Sequence, residues 1–197
     1  MMEVFLDRSA WRGYRQPDFP AQSWLAENEL LHALADRPAI SLISRQRFGD
    51  FDLSFDWRLP VGGNSGLLYK VIEDGDAPWQ SGPEMQLLDD SAHPDGRGPE
   101  TSCGALYGLY APQSSVLCPA GLFNIARISV RGSRVEHWLN GVRVLACDLA
   151  SDDFRARVSR SKFRDLPQFA RAAEGHIVLQ HHGTAAAFQN IRIAAMG

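Results

Sequence analysis

The sequence predicts an all-β sandwich, two packed antiparallel sheets with one or two short helices, as a single domain over residues 1–197. Three observations predict it. Residues 51–59 alternate apolar Phe51, Leu53, Phe55, Trp57 and Leu59 with polar Asp52, Ser54, Asp56 and Arg58. That period of two marks a strand with one face in a core. Asn140-Gly141 separates two short β-like runs, 135–139 and 142–145, and has the residues a two-residue hairpin turn needs. The 17 glycines and 11 prolines recur along the whole chain, so turns are frequent and strands short. At 197 residues the chain can bury a substantial core without disulfides or metals.

Taken in order, the first segment with structure of its own is 23–35. Its Leu25, Leu30, Leu31 and Leu34 sit in a run of helical propensity. Segment 51–59 is the clearest strand, broken by Pro60 and Gly62-Gly63-Asn64. Strands are expected over 65–72 and 83–88, and a meander over 123–131, 135–139 and 142–145. Residues 165–175 open on Asp165, carry Pro167 early, continue with helix formers and stop at Gly175. Those signals predict a short helix. Strands over 176–182 and 188–193 complete the set, the last apolar at Ile191 and Ile193.

Composition excludes several classes. The net charge is −3, without a basic stripe, so neither nucleic acid nor an anionic membrane is an expected partner. No apolar run approaches the ~20 residues that span a bilayer. Residues 1–14 lack a basic segment followed by an apolar one, so no signal peptide is visible. A cytoplasmic location is the default expectation, and a periplasmic or secreted one if the chain is a mature form. Cys103, Cys118 and Cys147 fit no zinc spacing. Cys103 and Cys118 bracket one loop and can pair, but three reduced thiols is the plainer expectation. There is no G-x-S-x-G, P-loop or H-E-x-x-H pattern, which argues against the common hydrolase, kinase and metalloprotease classes.

The candidate chemistry lies on two predicted strands. In Glu84-Met85-Gln86-Leu87, Glu84 and Gln86 share one face while Met85 and Leu87 turn to the core. In 176–182, Ile177, Leu179 and His181 share one face and Val178, Gln180 and His182 the other. With the aliphatic residues inward, Gln180 and His182 face outward beside Glu84 and Gln86. A carboxylate, an imidazole and two amides suit acid–base work or hydrogen bonding to sugar hydroxyls. The plainer alternative is the ordinary polar exterior of a sandwich. Tyr107, in Gly104-Ala-Leu-Tyr-Gly108, and Trp79, in a loop, offer rings on which a sugar can stack. Gly62-Gly63-Asn64-Ser65-Gly66 reads as a turn that aims Asn64 or Ser65 at a ligand, and Lys162 is placed to stabilise an oxyanion or to sit solvated at the surface.

These motifs occur in a familiar order: Trp11-Arg-Gly-Tyr14, Phe48-Gly-Asp-Phe51, Gly63-Asn-Ser-Gly66, Glu84-Met-Gln-Leu-Leu-Asp89, Gly104-Ala-Leu-Tyr-Gly108, Trp138-Leu-Asn-Gly141, Ser161-Lys-Phe163, Gly175-His-Ile177, Leu179-Gln-His-His-Gly183 and Phe188-Gln-Asn-Ile-Arg-Ile193. From about Val4 to Ile193 the chain resembles the 3-keto-disaccharide hydrolase family. The resemblance implies a concanavalin-like jelly roll. It also implies that 23–35 forms two short strands around a turn at Glu27-Asn28-Glu29, against its helical propensity. His181 stands where the family usually has an aspartate.

The chemistry this resemblance implies is cleavage of 3-keto-glycosides. A ketone at C3 acidifies the C2–H, a base removes that proton, and the C1 oxygen leaves by elimination. Glu84 or His182 is the implied base. Lys162, Gln86, Gln180 or Tyr107 is implied to polarise the ketone, and a divalent metal can do that instead. Asn64, Gln86, Tyr107, Gln180 and Trp79 are the expected contacts to an oligosaccharide or glycoside. The opposed carboxylates of ordinary glycosidases are not evident. A non-catalytic carbohydrate-binding module on the same sandwich is the competing reading, and an interaction domain with a vestigial site is a third.

Overall fold

The computed structural model describes residues 3–196. Along the chain run β1 (Glu3–Phe5), β2 (Trp11–Gly13), β3 (Trp24–Glu27), β4 (Leu30–Ala33), β5 (Leu42–Phe48), β6 (Asp50–Arg58), β7 (Asn64–Val71) and β8 (Glu84–Leu88). There follow β9 (Asn124–Arg131), β10 (Arg134–Leu139), β11 (Val142–Asp148), the helix α1 (Asp152–Ser159), β12 (Gly175–Leu179) and β13 (Ala186–Met196). One sheet has the order β11-β10-β9-β6-β13-β4-β3, with β1 also on β13; the other has the order β2-β5-β12-β7-β8. The named strand pairings are all antiparallel.

The core lies between the sheets. β6 contributes Phe51, Leu53, Phe55 and Trp57, β9 Ala126, Ile128 and Val130, and β13 Phe188, Ile191 and Ile193. From the facing sheet come Leu42, Leu67, Tyr69, Met85, Leu87, Ile177 and Leu179. The polar residues of β6 stay on the outside, as its period of two requires. Segment 23–35 is the hairpin β3–β4 and not a helix: Asn28 and Glu29 turn the chain with φ of 46° and 67°. Cross-strand pairing and the burial of Trp24 and Leu31 outweigh the propensity of the leucine run.

Two expectations are corrected. Residues 165–175 are a series of turns, not a helix. Phe163 and Phe169 stack with centroids 4.0 Å apart, and Ala170 takes a left-handed φ of 58°, so the segment folds back on itself. The helix lies earlier, at α1, where the Ser151 hydroxyl accepts the Phe154 N–H and Asp152 and Asp153 occupy the first turn. The strand expected over 176–182 ends at Leu179. All three cysteines are free thiols, in line with the plainer expectation.

β12 lies very close to β7 at Gly175. A Cβ there would lie 2.3 Å from the carbonyl carbon of Lys70 and 2.6 Å from its Cα, and backbone cannot yield as a side chain can. A Gly175→Ala variant is therefore expected to lose about 1–3 kcal/mol of unfolding free energy. Urea denaturation of the two proteins checks this, and an unchanged midpoint would contradict it.

Candidate active site

The register lays a row of residues across the outer face of the second sheet. Arg12 pairs with Ile43, Ile43 with Val178, Val178 with Leu68, and Leu68 with Glu84. Ile43, Leu68 and Val178 thus form an apolar floor, with Val71 beside them, and Tyr14 and Trp79 pack against it. A second row lies alongside: Gly66 pairs with Gln86, and Gln180 N–H donates to Gly66 O at 2.9 Å. Gly66 is the gap between two amide-bearing residues.

Glu84 fills that gap. A Cβ on Gly66 would meet Glu84 Oε1 at 2.0 Å and its Cδ at 2.8 Å, so the carboxyl group lies directly over the glycine. The residue is only 8% exposed. Its pKa is pushed up to about 7, first by burial, with Lys162 opposing and Asp95 adding to the rise. The group therefore exchanges its proton near neutrality, as a general base requires.

The wall beside Glu84 comes from the loop after β8. This loop runs antiparallel along the free edge of β8: Gln86 N–H donates to Ala105 O, Gly104 N–H to Gln86 O, and Tyr107 N–H to Glu84 O at 3.0 Å. Tyr107 is thereby set next to Glu84. The core secures the loop. His137 Nδ1–H donates to Gly104 O at 3.0 Å, and Tyr69 Oη–H donates to His137 Nε2 at 3.1 Å. Burial drives the His137 pKa down to about 4, which keeps the ring neutral and able to do both.

Lys162 approaches from the turn after α1, anchored by the buried Phe163. Its ammonium lies 4.3 Å from the Tyr107 ring centroid, 5.2 Å from that of Trp79 and 5.1 Å from that of Phe163. Partial desolvation lowers its pKa, opposed by Glu84 and Asp95. Tyr107 Oη donates to Asp95 Oδ2 at 3.3 Å. Burial, first of all, and then the charges of Asp95 and Glu84 raise the phenol pKa, so Tyr107 stays a donor.

The remaining expected residues spread along the same face. Gln86 is buried, and its Nε2 has no hydrogen-bond partner within the protein. Asn64 faces His93, its Nδ2 3.4 Å from His93 Nε2, and its Oδ1 is unpartnered. Ser65 is turned away, its hydroxyl donating to Gln180 O at 2.8 Å. Gln180 and His182 sit past the end of β12 and line one cavity with Trp79. Among the described residues, no hydrogen bond or ion pair joins Glu84 to His182. His181 points inward, edge-on to Trp24, with Nε2–H donating to Leu34 O at 3.1 Å and Nδ1 accepting the Gly183 N–H.

The sequence reading missed Asp95 and His93. Both lie in the polar loop of residues 89–102, where no periodicity tells which side chain turns inward. The one available signal was Gly66, a glycine inside a strand, which marks a close approach. Among the described residues, no three His, Cys, Asp or Glu side chains converge as a metal set does.

Comparison with known proteins agrees with this architecture. The chain is similar to a 3-keto-disaccharide hydrolase of Bacteroides thetaiotaomicron, 28% identical over 95% of this chain and 75% of the relative. It superposes on the crystal structure of a candidate glycosyl hydrolase from Parabacteroides distasonis with a TM-score of 0.90 and 26% identity, covering 99% of this chain and 94% of that one. A carbohydrate-binding module from Bacillus subtilis shares the fold alone, at a TM-score of 0.56 and 13% identity, over 94% of this chain and 96% of that one. With residues 6–194 matching it on this jelly-roll framework, the chain belongs to the 3-keto-alpha-glucoside-1,2-lyase-like domain family.

Proposed function

We propose that the protein cleaves the glycosidic bond of 3-keto-glycosides, with Glu84 as the base. The observation that carries this reading is the buried Glu84 carboxyl over Gly66, with its pKa at about 7 and the Lys162 cation acting on it. The carboxylate takes the proton from C2. The C2–H electron pair moves into an enolate on the C3 oxygen, which the Lys162 ammonium stabilises. The carbonyl re-forms as the C1–O bond breaks, and the departing oxygen takes up a proton. Water then adds across C1 and C2, placing hydroxyl on C1 and a proton on C2, for net hydrolysis.

Asp95 holds the Tyr107 hydroxyl in place, while Gln86, Asn64 and Gln180 are the amides that orient the sugar. His182 lines the cavity beside Trp79 and gives a proton of its own to the leaving oxygen. A single buried carboxyl beside a cation favours elimination over displacement, which uses two carboxylates. Incubating the protein with a 3-keto-glucoside and with its unoxidised parent, each with and without EDTA, tests the proposal. Aglycone release from the keto compound alone, unaffected by EDTA, is the expected result. Sugar binding without release from either compound would instead support a binding module.

A further inference from the structure

The chain holds 20 lysines and arginines together, and only Lys70 and Lys162 are lysines. Positive charge at the surface is therefore carried by arginine. Lys70 is buried, and its ammonium donates to Gly132 O at 3.0 Å, in the turn between β9 and β10. Lys162 is the lysine whose charge acts on Glu84. Arginine would supply a cation there equally well, but the two side chains differ in one respect. A guanidinium does not lose its proton in a protein, whereas a desolvated ammonium can, and it leaves a nucleophilic amine.

Lys162 has the surroundings such an amine needs. Its nitrogen is bordered by the rings of Tyr107, Trp79 and Phe163, and among the described residues it has no hydrogen-bond or ion-pair partner. An ammonium has three N–H donors, and ring faces offer them only weak acceptors. An iminium has a single N–H, and ring faces stabilise its charge as they do that of the ammonium. Partial desolvation already lowers the Lys162 pKa. Glu84, with its pKa at about 7, is a neighbour able to take the ammonium's proton and give it back.

We propose that Lys162 bonds covalently to C3 of the keto sugar, and that the resulting iminium is the electron sink for removal of the C2 proton. This rests on placing the keto sugar in the Glu84 pocket, and an enamine then takes the place of the enolate. The Glu84 carboxylate first takes a proton from the ammonium. The amine nitrogen attacks C3, the C=O pair moves to oxygen, and a proton passes from nitrogen to that oxygen. Glu84 returns its proton to the new hydroxyl, which leaves as water while the C=N bond forms. Glu84, again a carboxylate, removes the C2 proton. The C2–H pair forms C2=C3 and the C=N pair moves onto nitrogen. The iminium re-forms as the C1–O bond breaks. Once water has added across C1 and C2, a second water hydrolyses the iminium, releasing the 3-keto sugar and the Lys162 ammonium.

With only two lysines in the chain, trapping reads the bond directly. The protein is incubated with methyl 3-keto-glucoside and cyanoborohydride, which reduces iminium ions in preference to ketones. It is then digested and its peptides are weighed by mass spectrometry. The expected result is a reduced sugar on Lys162 and none on Lys70, with activity lost as the label accumulates. Lys162→Arg keeps the cation but cannot form the iminium, and its kcat is expected to fall by about 10²-fold or more. An unlabelled Lys162 during turnover, or near-wild-type kcat in Lys162→Arg, would overturn the iminium and leave elimination at Glu84 standing. A labelled Lys162 without release of methanol would support the iminium and count against glycoside cleavage.

Discussion

Replacing Glu84 by glutamine is expected to reduce turnover of a 3-keto-glycoside by about 10²–10⁴-fold, the range for loss of a general base, while making the folded protein more stable above neutral pH. Both effects have one cause. The carboxyl is buried, and its pKa is raised from 4.5 to about 7 in the folded state. A carboxyl raised in this way favours the folded state fully below its unfolded pKa, and that contribution is lost as the pH rises through about 7. At pH 8 the charged group therefore costs on the order of 3 kcal/mol, which the neutral amide does not incur. Urea unfolding at pH 5 and pH 8 reads the difference. The two proteins should diverge at pH 8 and approach each other at pH 5. Wild-type kcat/KM should rise with pH across neutrality, as the base loses its proton. Retained activity in the variant would end the case for Glu84 as base, and equal stability at pH 8 would show that the carboxyl is not held in a desolvated place.

Gly66→Ala is expected to remove most activity with little change in fold. The backbone at Gly66 is ordinary strand, so alanine costs nothing in conformation, but its methyl would occupy the place of Glu84 Oε1, 2.0 Å away. The carboxylate must move by more than an ångström. A displacement of that size costs about 10²-fold when the base has to meet one particular proton. The expected pattern is a lower kcat with a far-ultraviolet circular dichroism spectrum like that of the wild type. Full activity in Gly66→Ala would mean that the carboxyl acts from elsewhere.

Much of the framework was legible in the residues alone. β6 announced itself by strict alternation, the β10–β11 hairpin by Asn140-Gly141, and the inward turn of Met85 and Leu87 by their spacing from Glu84. Local signals misled where contacts distant in sequence decide. Residues 165–175 have helix start and stop signals, yet the Phe163–Phe169 stack folds them into turns. Helix α1 was not foreseen, because Phe154 is its single buried residue and only the partly buried Val158 joins it against the core.

The candidate site divides in the same way. Periodicity put Glu84 and Gln86 on the outer face, because a strand has only two faces and the aliphatic residues claim one. No period could show that Glu84 leans over Gly66, that Lys162 arrives from a turn 78 positions later in the chain, or that Asp95 grips Tyr107. The sequence by itself determined which residues line each face of the strands, because alternating polarity is a local property. The tertiary structure alone decided which loops close over that face, and with them the desolvation of Glu84. Burial of a charge depends on every segment that displaces water from it, and those segments are far apart in the chain.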